Sequence, residues 1–319
     1  ILSFDFPKGY DKTKELIIDP TLVFASYSGS TADNWGYTST YDDAGNLYGG
    51  GVTFGVGYPT TFGAYQLNFA GGTASSYASG CDITISKFSS DGTNLIYSTY
   101  LGGSDDESPH SLIVNSNNEL LILGTTSSNN FPVTVGSYDN TFGGGIAYGG
   151  YWPNYVNGSD ITVSKLSASG NNLLASTYIG GTGNDGINIS ANLNYNYADE
   201  FRGELIVDGS DNVYVASSTS SNDFPITPGA FQPTLSGMQD GCVFKLSPNL
   251  NTLLWSSYIG GTNDDAAYSL QFNSLGEILV TGGTESPNFP VTVGALNTSY
   301  QNLADAWVTK INTSGTSIL

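Results

Sequence analysis

The residues best suited to chemistry in this chain are acids that follow repeated Gly-Gly pairs. The candidate side chains are Asp105, Asp106, Asp185, Asp264 and Asp265. Clustered carboxylate oxygens of this kind suit Ca²⁺. However, none of these loops has the alternating Asp-x-Asp-x-Asp pattern of a dedicated calcium loop. The pattern therefore favours a structural role, in which the acids cap strands, accept backbone N–H groups or pair with lysines, and calcium binding is the alternative.

A second candidate site is the segment 141–159, which combines many glycines and asparagines with aromatic residues. Functional variation on a repeated scaffold is concentrated in such individual loops. The aromatic residues that could stack on sugar rings or contact a protein partner are Tyr148, Tyr151, Trp152 and Tyr155. In the alternative interpretation, the loop packs these rings onto its own sheet.

Other catalytic arrangements find little support in the sequence. His110 is the only histidine, so a Ser–His–Asp triad would depend on it, and no Gly-x-Ser-x-Gly elbow is present. A pair of carboxylates could cleave glycosides, but no pair stands out among the 28 acids. The sequence therefore predicts a protein that is not an enzyme and that needs no cofactor other than the calcium considered above.

Charge excludes two classes of partner. The chain has 8 basic and 28 acidic residues and a net charge of −20, which argues against binding to nucleic acid or to anionic lipid. It contains no run of 18 apolar residues, so no helix is expected to span a membrane.

The two cysteines, Cys81 and Cys242, occupy different positions in their repeats, which predicts buried free thiols rather than a disulfide.

Half of the basic residues belong to one recurring strand pattern that opens with an acid and ends with a lysine. Its copies are residues 82–87, 160–165, 240–245 and 305–310. The lysine follows the acid by five positions, an odd number, so their side chains face opposite sides of the strand. We therefore expect each lysine to meet an acid of a neighbouring strand or sheet, and the repetition indicates an architectural role.

Three more landmarks recur in a fixed order around this strand. Apolar strands end at Tyr27, Tyr100, Tyr178 and Tyr258, and the spacings between these tyrosines are 73, 78 and 80 residues. A pair of strands around a tight turn follows, and then a Phe-Pro-Val/Ile-Thr loop, which begins with Tyr in the first copy. Four strands per unit predict an all-β fold made of four-stranded antiparallel sheets, as in the blades of a β-propeller. Tandem β-sandwich repeats are the alternative.

These landmarks divide the chain into two parts. Residues 1–20 have the pattern of a β-hairpin that ends an upstream domain. Residues 21–319 contain the repeats, with units near 21–94, 95–172, 173–252 and 253–319. We expect the chain to be a piece of a longer one.

Together the Tyr-Leu/Ile-Gly-Gly, Phe-Pro-Val/Ile-Thr and Asp-to-Lys series resemble the SBBP β-propeller repeats of large secreted and surface proteins of bacteria. The chain departs from this family at Ser28-Gly29, which replaces Leu/Ile-Gly-Gly, and in its long loops at 141–159 and 187–202. It also has four units, where the family name implies seven blades. Either the ring continues beyond Leu319, or the strand 21–27 completes a blade with the last unit.

The resemblance implies a non-catalytic scaffold or adhesion module, secreted or on the outer surface of a bacterium and exported by a type IX route. The first alternative is a module that binds a glycan or a protein through its aromatic rim loops. The second is a carboxylate-based enzyme that cleaves glycans. The sequence does not indicate an oligomeric state.

Overall fold

A computed structural model of the protein describes Thr13 and residues 24–71, 80–149, 154–195 and 198–319. The hairpin predicted for residues 1–20 therefore lies outside the described residues, apart from Thr13. The described chain folds into antiparallel sheets, and its helical content is a single turn of 3₁₀ helix at Asp199–Phe201. The predicted all-β class with four-stranded antiparallel sheets is confirmed.

The sheets follow one another along the chain. Sheet 1 contains β1 (Asn34–Tyr41), β2 (Leu47–Thr53), β3 (Asp82–Phe88) and β4 (Leu95–Leu101). Sheet 2 contains β5 (Glu107–Val114), β6 (Leu120–Thr126), β9 (Asp160–Leu166) and β10 (Leu173–Ile179), and a small hairpin of β7 (Tyr148–Gly149) and β8 (Asn154–Tyr155) interrupts it. Sheet 3 contains β11 (Glu204–Val207), β12 (Val213–Thr219), β13 (Asp240–Leu246) and β14 (Leu253–Ile259). Sheet 4 contains β15 (Asp265–Phe272), β16 (Ile278–Thr284) and β17 (Asp305–Ile311).

Every sheet uses the sequence landmarks in the same order. The hairpin strands come first and the Asp-to-Lys strand pairs with the second of them; in sheets 1 to 3 the tyrosine strand then pairs with the Asp-to-Lys strand. The tyrosine strand β4 thus belongs to sheet 1, so each sheet extends one strand past the repeat boundaries near 94, 172 and 252. In sheet 4, Ile318 makes an isolated bridge with Ile311 at the position where a tyrosine strand starts in the other sheets.

The sheets pack face to face in chain order, because sheets 2 and 3 contribute apolar side chains to a core on each of their faces. Ile83 and Ile85 of sheet 1 share a core with Leu120 and Ile122 of sheet 2. Corresponding cores join sheet 2 to sheet 3 and sheet 3 to sheet 4. The first strands also contact one another in sequence, β1 with β5, β5 with β11, and β11 with β15.

The Phe-Pro loops complete these cores. Phe131, Phe224 and Phe289 are buried, and each belongs to the core between its own sheet and the preceding one. The loop is held to the tyrosine strand of its own sheet; for example, the backbone N–H of Thr134 donates to the carbonyl of Ser176 at 3.0 Å. The loop therefore fills the space between neighbouring sheets.

Both cysteines are also as predicted. Cys81 and Cys242 are buried thiols that are not joined in a disulfide. Burial raises the pKa of the Cys242 thiol, so this side chain is a neutral packing group.

Candidate functional site

Paired carboxylates recur where one sheet meets the next. The acids Glu107, Asp185 and Asp265 occupy equivalent positions after the Gly-Gly pairs. The backbone N–H of each donates to the carbonyl of the residue just before an Asp-to-Lys strand, and the acceptors are Cys81, Ser159 and Gln239. Each of these carboxylates therefore comes close to the acid that opens that strand.

The first glycine of each Gly-Gly pair lies between the two carboxylates. A Cβ atom built at Gly180 would fall 2.7 Å from Asp160 Oδ1 and 2.9 Å from Asp185 Oδ2. The corresponding distances at Gly260 are 2.6 Å to Asp240 Oδ1 and 2.7 Å to Asp265 Oδ2. Gly102 has the same relation to Asp82 and Glu107. Glycine is therefore required at this position because any side chain would collide with both acids.

Hydrogen-bond donors surround each carboxylate. Asp185 accepts bonds from the backbone N–H of Gly181 at 2.8 Å and from the hydroxyls of Thr219 and Ser221. Asp160 accepts bonds from the backbone N–H groups of two glycines, Gly143 and Gly144. N–H and O–H groups that point at a carboxylate suit an acceptor rather than a metal ligand, so the pairs fit the structural role better than the calcium role.

Burial controls the ionisation of these pairs. It raises the pKa of Asp160 to about 8, of Asp185 to about 7 and of Asp240 to about 6. Burial also raises the pKa of Asp82 and of Glu107, and a nearby carboxylate adds to the rise, Asp106 for Asp82 and Asp82 for Glu107. Two close, buried carboxylates cannot both ionise cheaply, so the Asp160–Asp185 and Asp82–Glu107 pairs retain a proton near neutral pH.

The other acids of the calcium hypothesis lie outside these pairs. Asp106 is buried and accepts bonds from the backbone N–H groups of Cys81 and Asn154. Asp105 accepts a bond from the Asn157 amide, and burial raises the pKa of Asp264. Within the described ranges, no group of three or more His, Cys, Asp or Glu side chains is arranged to hold a metal ion. Calcium binding by these acids stays a prediction.

The sequence analysis does not predict a site at Asp82, Asp160 and Asp240, the second carboxylates of the three pairs. A sequence pattern that marks these positions does exist. One acid recurs at the start of each Asp-to-Lys strand and another recurs after the Gly-Gly pair that follows. The sequence does not show that these two positions meet, because this depends on how consecutive sheets stack.

The four repeat lysines form ion pairs within their own sheets. Lys87 Nζ lies 2.9 Å from Asp42, and the corresponding pairs are Lys165–Glu119, Lys245–Asp208 and Lys310–Glu277 at 3.1, 3.2 and 3.1 Å. Each acid flanks the tight turn between the first two strands of the sheet. The prediction that the lysine meets an acid of a neighbouring strand, and not the acid of its own strand, is confirmed.

The aromatic residues of the segment 141–159 are more buried than its many glycines and asparagines would indicate. Tyr155 is 0% exposed, and its ring lies 6.1 Å from that of Phe201, on the other long insertion. Tyr148 is half-buried and packs against the same cluster. Tyr151 and Trp152 lie outside the described residues. For Tyr155 the expectation of an exposed ligand platform is wrong, because Phe201 and its neighbours already occupy the space beside its ring.

The single histidine adjoins this cluster. His110 Nε2 lies 2.8 Å from the Thr125 hydroxyl, and the ring is 6.0 Å from that of Phe201. Burial lowers the pKa of His110 to about 3. A neutral imidazole in this position contributes to packing and to one hydrogen bond.

No family model matches the chain, and no curated protein matches it. Among solved structures, the chain is similar to a protein of unknown function from Dyadobacter fermentans DSM 18053, with a TM-score of 0.44 and 8% identity. That match covers 94% of this chain and 66% of the other, so this chain spans less than two thirds of its neighbour. A second match is to a "putative hydrolase" from Bacteroides ovatus ATCC 8483, with a TM-score of 0.30, 10% identity and coverage of 84% and 82%. Likeness at this level assigns neither a fold family nor an activity.

No helix in the described part of the chain has both the length and the apolar character needed to cross a membrane.

Proposed function

We propose that the four sheets are consecutive blades of a β-propeller, and that the protein is a non-catalytic scaffold or adhesion module of a large bacterial protein that is secreted or displayed on the outer surface. The supporting observation is the contact of β1 with β5, β5 with β11 and β11 with β15. Innermost strands that contact one another in chain order, beneath sheets packed face to face, are the arrangement that blades adopt around an axis.

The use of the recurring residues supports the scaffold role. The lysines hold the turns of their own sheets, and the carboxylate pairs join consecutive sheets. These pairs are buried, so they do not face a cleft in which a substrate could be cleaved. The residues that recur therefore maintain the architecture, and binding functions belong to the segments that differ between repeats.

Surface labelling tests the proposed location. Antibodies raised against residues 24–319 should label intact cells of the bacterium that makes the protein, and external protease should remove that label. Labelling only after the cells are lysed would contradict a surface or secreted location.

Release of reducing sugar from any polysaccharide by the purified protein would contradict the non-catalytic role.

The meeting of two long insertions favours a second candidate function, binding of a glycan or protein through the rim. The segments around Tyr155 and Phe201 pack together, and the half-buried Tyr148 lies at the edge of their cluster. A Tyr148→Ala variant should weaken binding of such a partner, whereas Tyr138→Ala, which changes a partly exposed tyrosine outside this cluster, should not. Equal binding by both variants would remove Tyr148 from this role.

A further inference from the structure

The two faces of sheet 1 differ in what they contact. One face packs on sheet 2 through Ile83 and Ile85. The opposite face forms a groove of about 900 Å³ whose lining includes Trp35, Ser39, Gly49 and Thr84. A volume of this size falls in the range of sites for small organic ligands.

The residues of this face differ from their equivalents in the other sheets. The strand register places one cross-strand pair of each sheet on the face directed at the preceding sheet. That pair is Leu112–Ile122 in sheet 2, Leu205–Val215 in sheet 3, Leu270–Val280 in sheet 4 and Ser39–Gly49 in sheet 1. In sheets 2 to 4 these residues belong to the cores between sheets. The Ser–Gly pair removes the apolar surface that another sheet would need.

The groove is also electrically neutral. The chain contains 28 acids, yet the described residues that line the groove include no acidic or basic side chain. A neutral lining in so acidic a protein neither attracts a cation nor satisfies an anion. The chemistry of the groove therefore selects an uncharged ligand.

The polar and aromatic groups that line the groove suit the binding of a sugar. Trp35 is 45% exposed and supplies an aromatic surface at the edge of the groove. Thr84 lines the groove at a deeply buried position, with 2% of the residue exposed. The floor at Gly49 is open, because a Cβ atom built there would meet nothing within 4 Å. A flat floor, hydroxyl groups and an aromatic edge match the alternating polar and apolar surfaces of a pyranose ring.

We propose that this face of sheet 1 binds a short neutral oligosaccharide. The site is distinct from the rim loops and goes beyond the scaffold role. The Trp35 ring packs against the apolar face of one sugar ring, the Ser39 and Thr84 hydroxyls bond to sugar hydroxyls, and Gly49 allows the ligand to approach the backbone.

A substitution that restores the residue type of the other sheets tests this proposal. Gly49→Leu fills the floor of the groove, and the Cβ atom it adds meets nothing within 4 Å. The matched control is Gly209→Leu, because Gly209 is an exposed turn residue where an added Cβ atom also meets nothing within 4 Å. The probes are the hexaoses of cellulose, xylan, starch and β-1,3-glucan, with an oligogalacturonate as the charged comparison, and calorimetry measures their binding to the whole protein.

The unaltered protein should bind at least one neutral probe and not the oligogalacturonate. Gly49→Leu should weaken that binding at least tenfold, and Gly209→Leu should leave it unchanged, with equal unfolding temperatures for the two variants. The proposal is overturned if no neutral probe binds, or if Gly49→Leu binds as well as the control. It is also overturned if sedimentation shows a dimer that only Gly49→Leu dissociates, since the face would then be an interface between copies.

Discussion

The ring of Tyr97 lies directly against Gly170. A Cβ atom built at Gly170 would fall 2.3 Å from the Tyr97 Cδ2 atom, so only glycine fits there, and its φ of +68° is also one that glycine tolerates. Tyr97 is in the tyrosine strand of sheet 1, and Gly170 is in the turn between the last two strands of sheet 2. This contact therefore fixes the position of one sheet relative to the next.

The contact of an aromatic ring with a turn glycine recurs at other positions. One junction between sheets has a different pair of residues instead. Trp255 of sheet 3 lies against Gly315 of sheet 4, and Phe24 lies against Gly92 of sheet 1. Between sheets 2 and 3 the equivalent positions hold Ala175 and Leu250, and both belong to the core that joins those sheets. Leu250 has a φ of 54° and so keeps the turn conformation that glycine has elsewhere. A small residue on the strand is thus matched by a large residue on the turn.

The glycine between a carboxylate pair should not tolerate a methyl group. Gly180→Ala places a Cβ atom within 3 Å of Asp160 and Asp185, and we expect a loss of about 1–3 kcal/mol of unfolding free energy from overpacking. Gly209→Ala, where the space is open, should change the unfolding free energy by less than about 0.5 kcal/mol. Urea unfolding of both variants measures the difference, and equal losses would show that the carboxylates can move away.

The buried lysine of sheet 1 should matter more than the exposed lysine of sheet 4. Lys87→Met leaves Asp42 without its partner, and because both side chains are more than 90% buried we expect a loss of about 3 kcal/mol. The Lys310 side chain is 42% exposed, so Lys310→Met should cost clearly less. Chemical denaturation compares the two variants. A larger loss for Lys310→Met would contradict the importance of burial.

The protein should become less stable as the pH rises from 5 to 8. The folded state raises the pKa of Asp160 to about 8 and of Asp185 to about 7, whereas the unfolded chain releases these protons near pH 4. The folded state therefore binds more protons across this interval, and stability falls with rising pH. The melting temperature should be lower at pH 8 than at pH 5.

A variant that cannot ionise tests the cause of this pH dependence. Asp160→Asn should reduce the difference in melting temperature between pH 5 and pH 8, because the amide stays neutral throughout. Asp43→Asn changes an exposed acid and should leave the difference as it is. If Asp160→Asn and Asp43→Asn have the same pH profile, the carboxylate pairs do not control it.

At acidic pH the dependence of stability on pH reverses, and the protein becomes less stable as the pH falls. Hydrogen bonds from Asn46 and Lys87 outweigh burial and lower the pKa of Asp42 to about 2. A carboxylate with a lowered pKa contributes stability that is lost as the pH falls from about 4 to 2. We expect a stability maximum near pH 4–5, which melting curves over this range would locate. A maximum at pH 7 or above would contradict the raised pKa values of Asp160 and Asp185, and unchanged stability between pH 4 and pH 2 would contradict the lowered pKa of Asp42.

The sequence predicts the strands well because each carries its own local signal. The alternation in 82–87 and its copies sets the strand faces, and this is enough to predict that Lys87 does not pair with Asp82. The meeting of Asp160 with Asp185 depends on the stacking of sheets, which no local pattern specifies. The burial of Tyr155 had no signal either, because a tyrosine in a loop rich in glycine can pack inward or outward.

The junction between sheets 2 and 3 offers the most direct test that consecutive sheets stack in chain order. Ala175→Tyr should overpack the contact with Leu250 and cost about 1–3 kcal/mol of unfolding free energy. Adding Leu250→Gly recreates the arrangement of Tyr97 on Gly170, so the double variant should be more stable than Ala175→Tyr alone by at least about 1 kcal/mol. Additive losses, in which Leu250→Gly destabilises the Ala175→Tyr variant as much as it does the unaltered protein, would contradict this packing of the sheets.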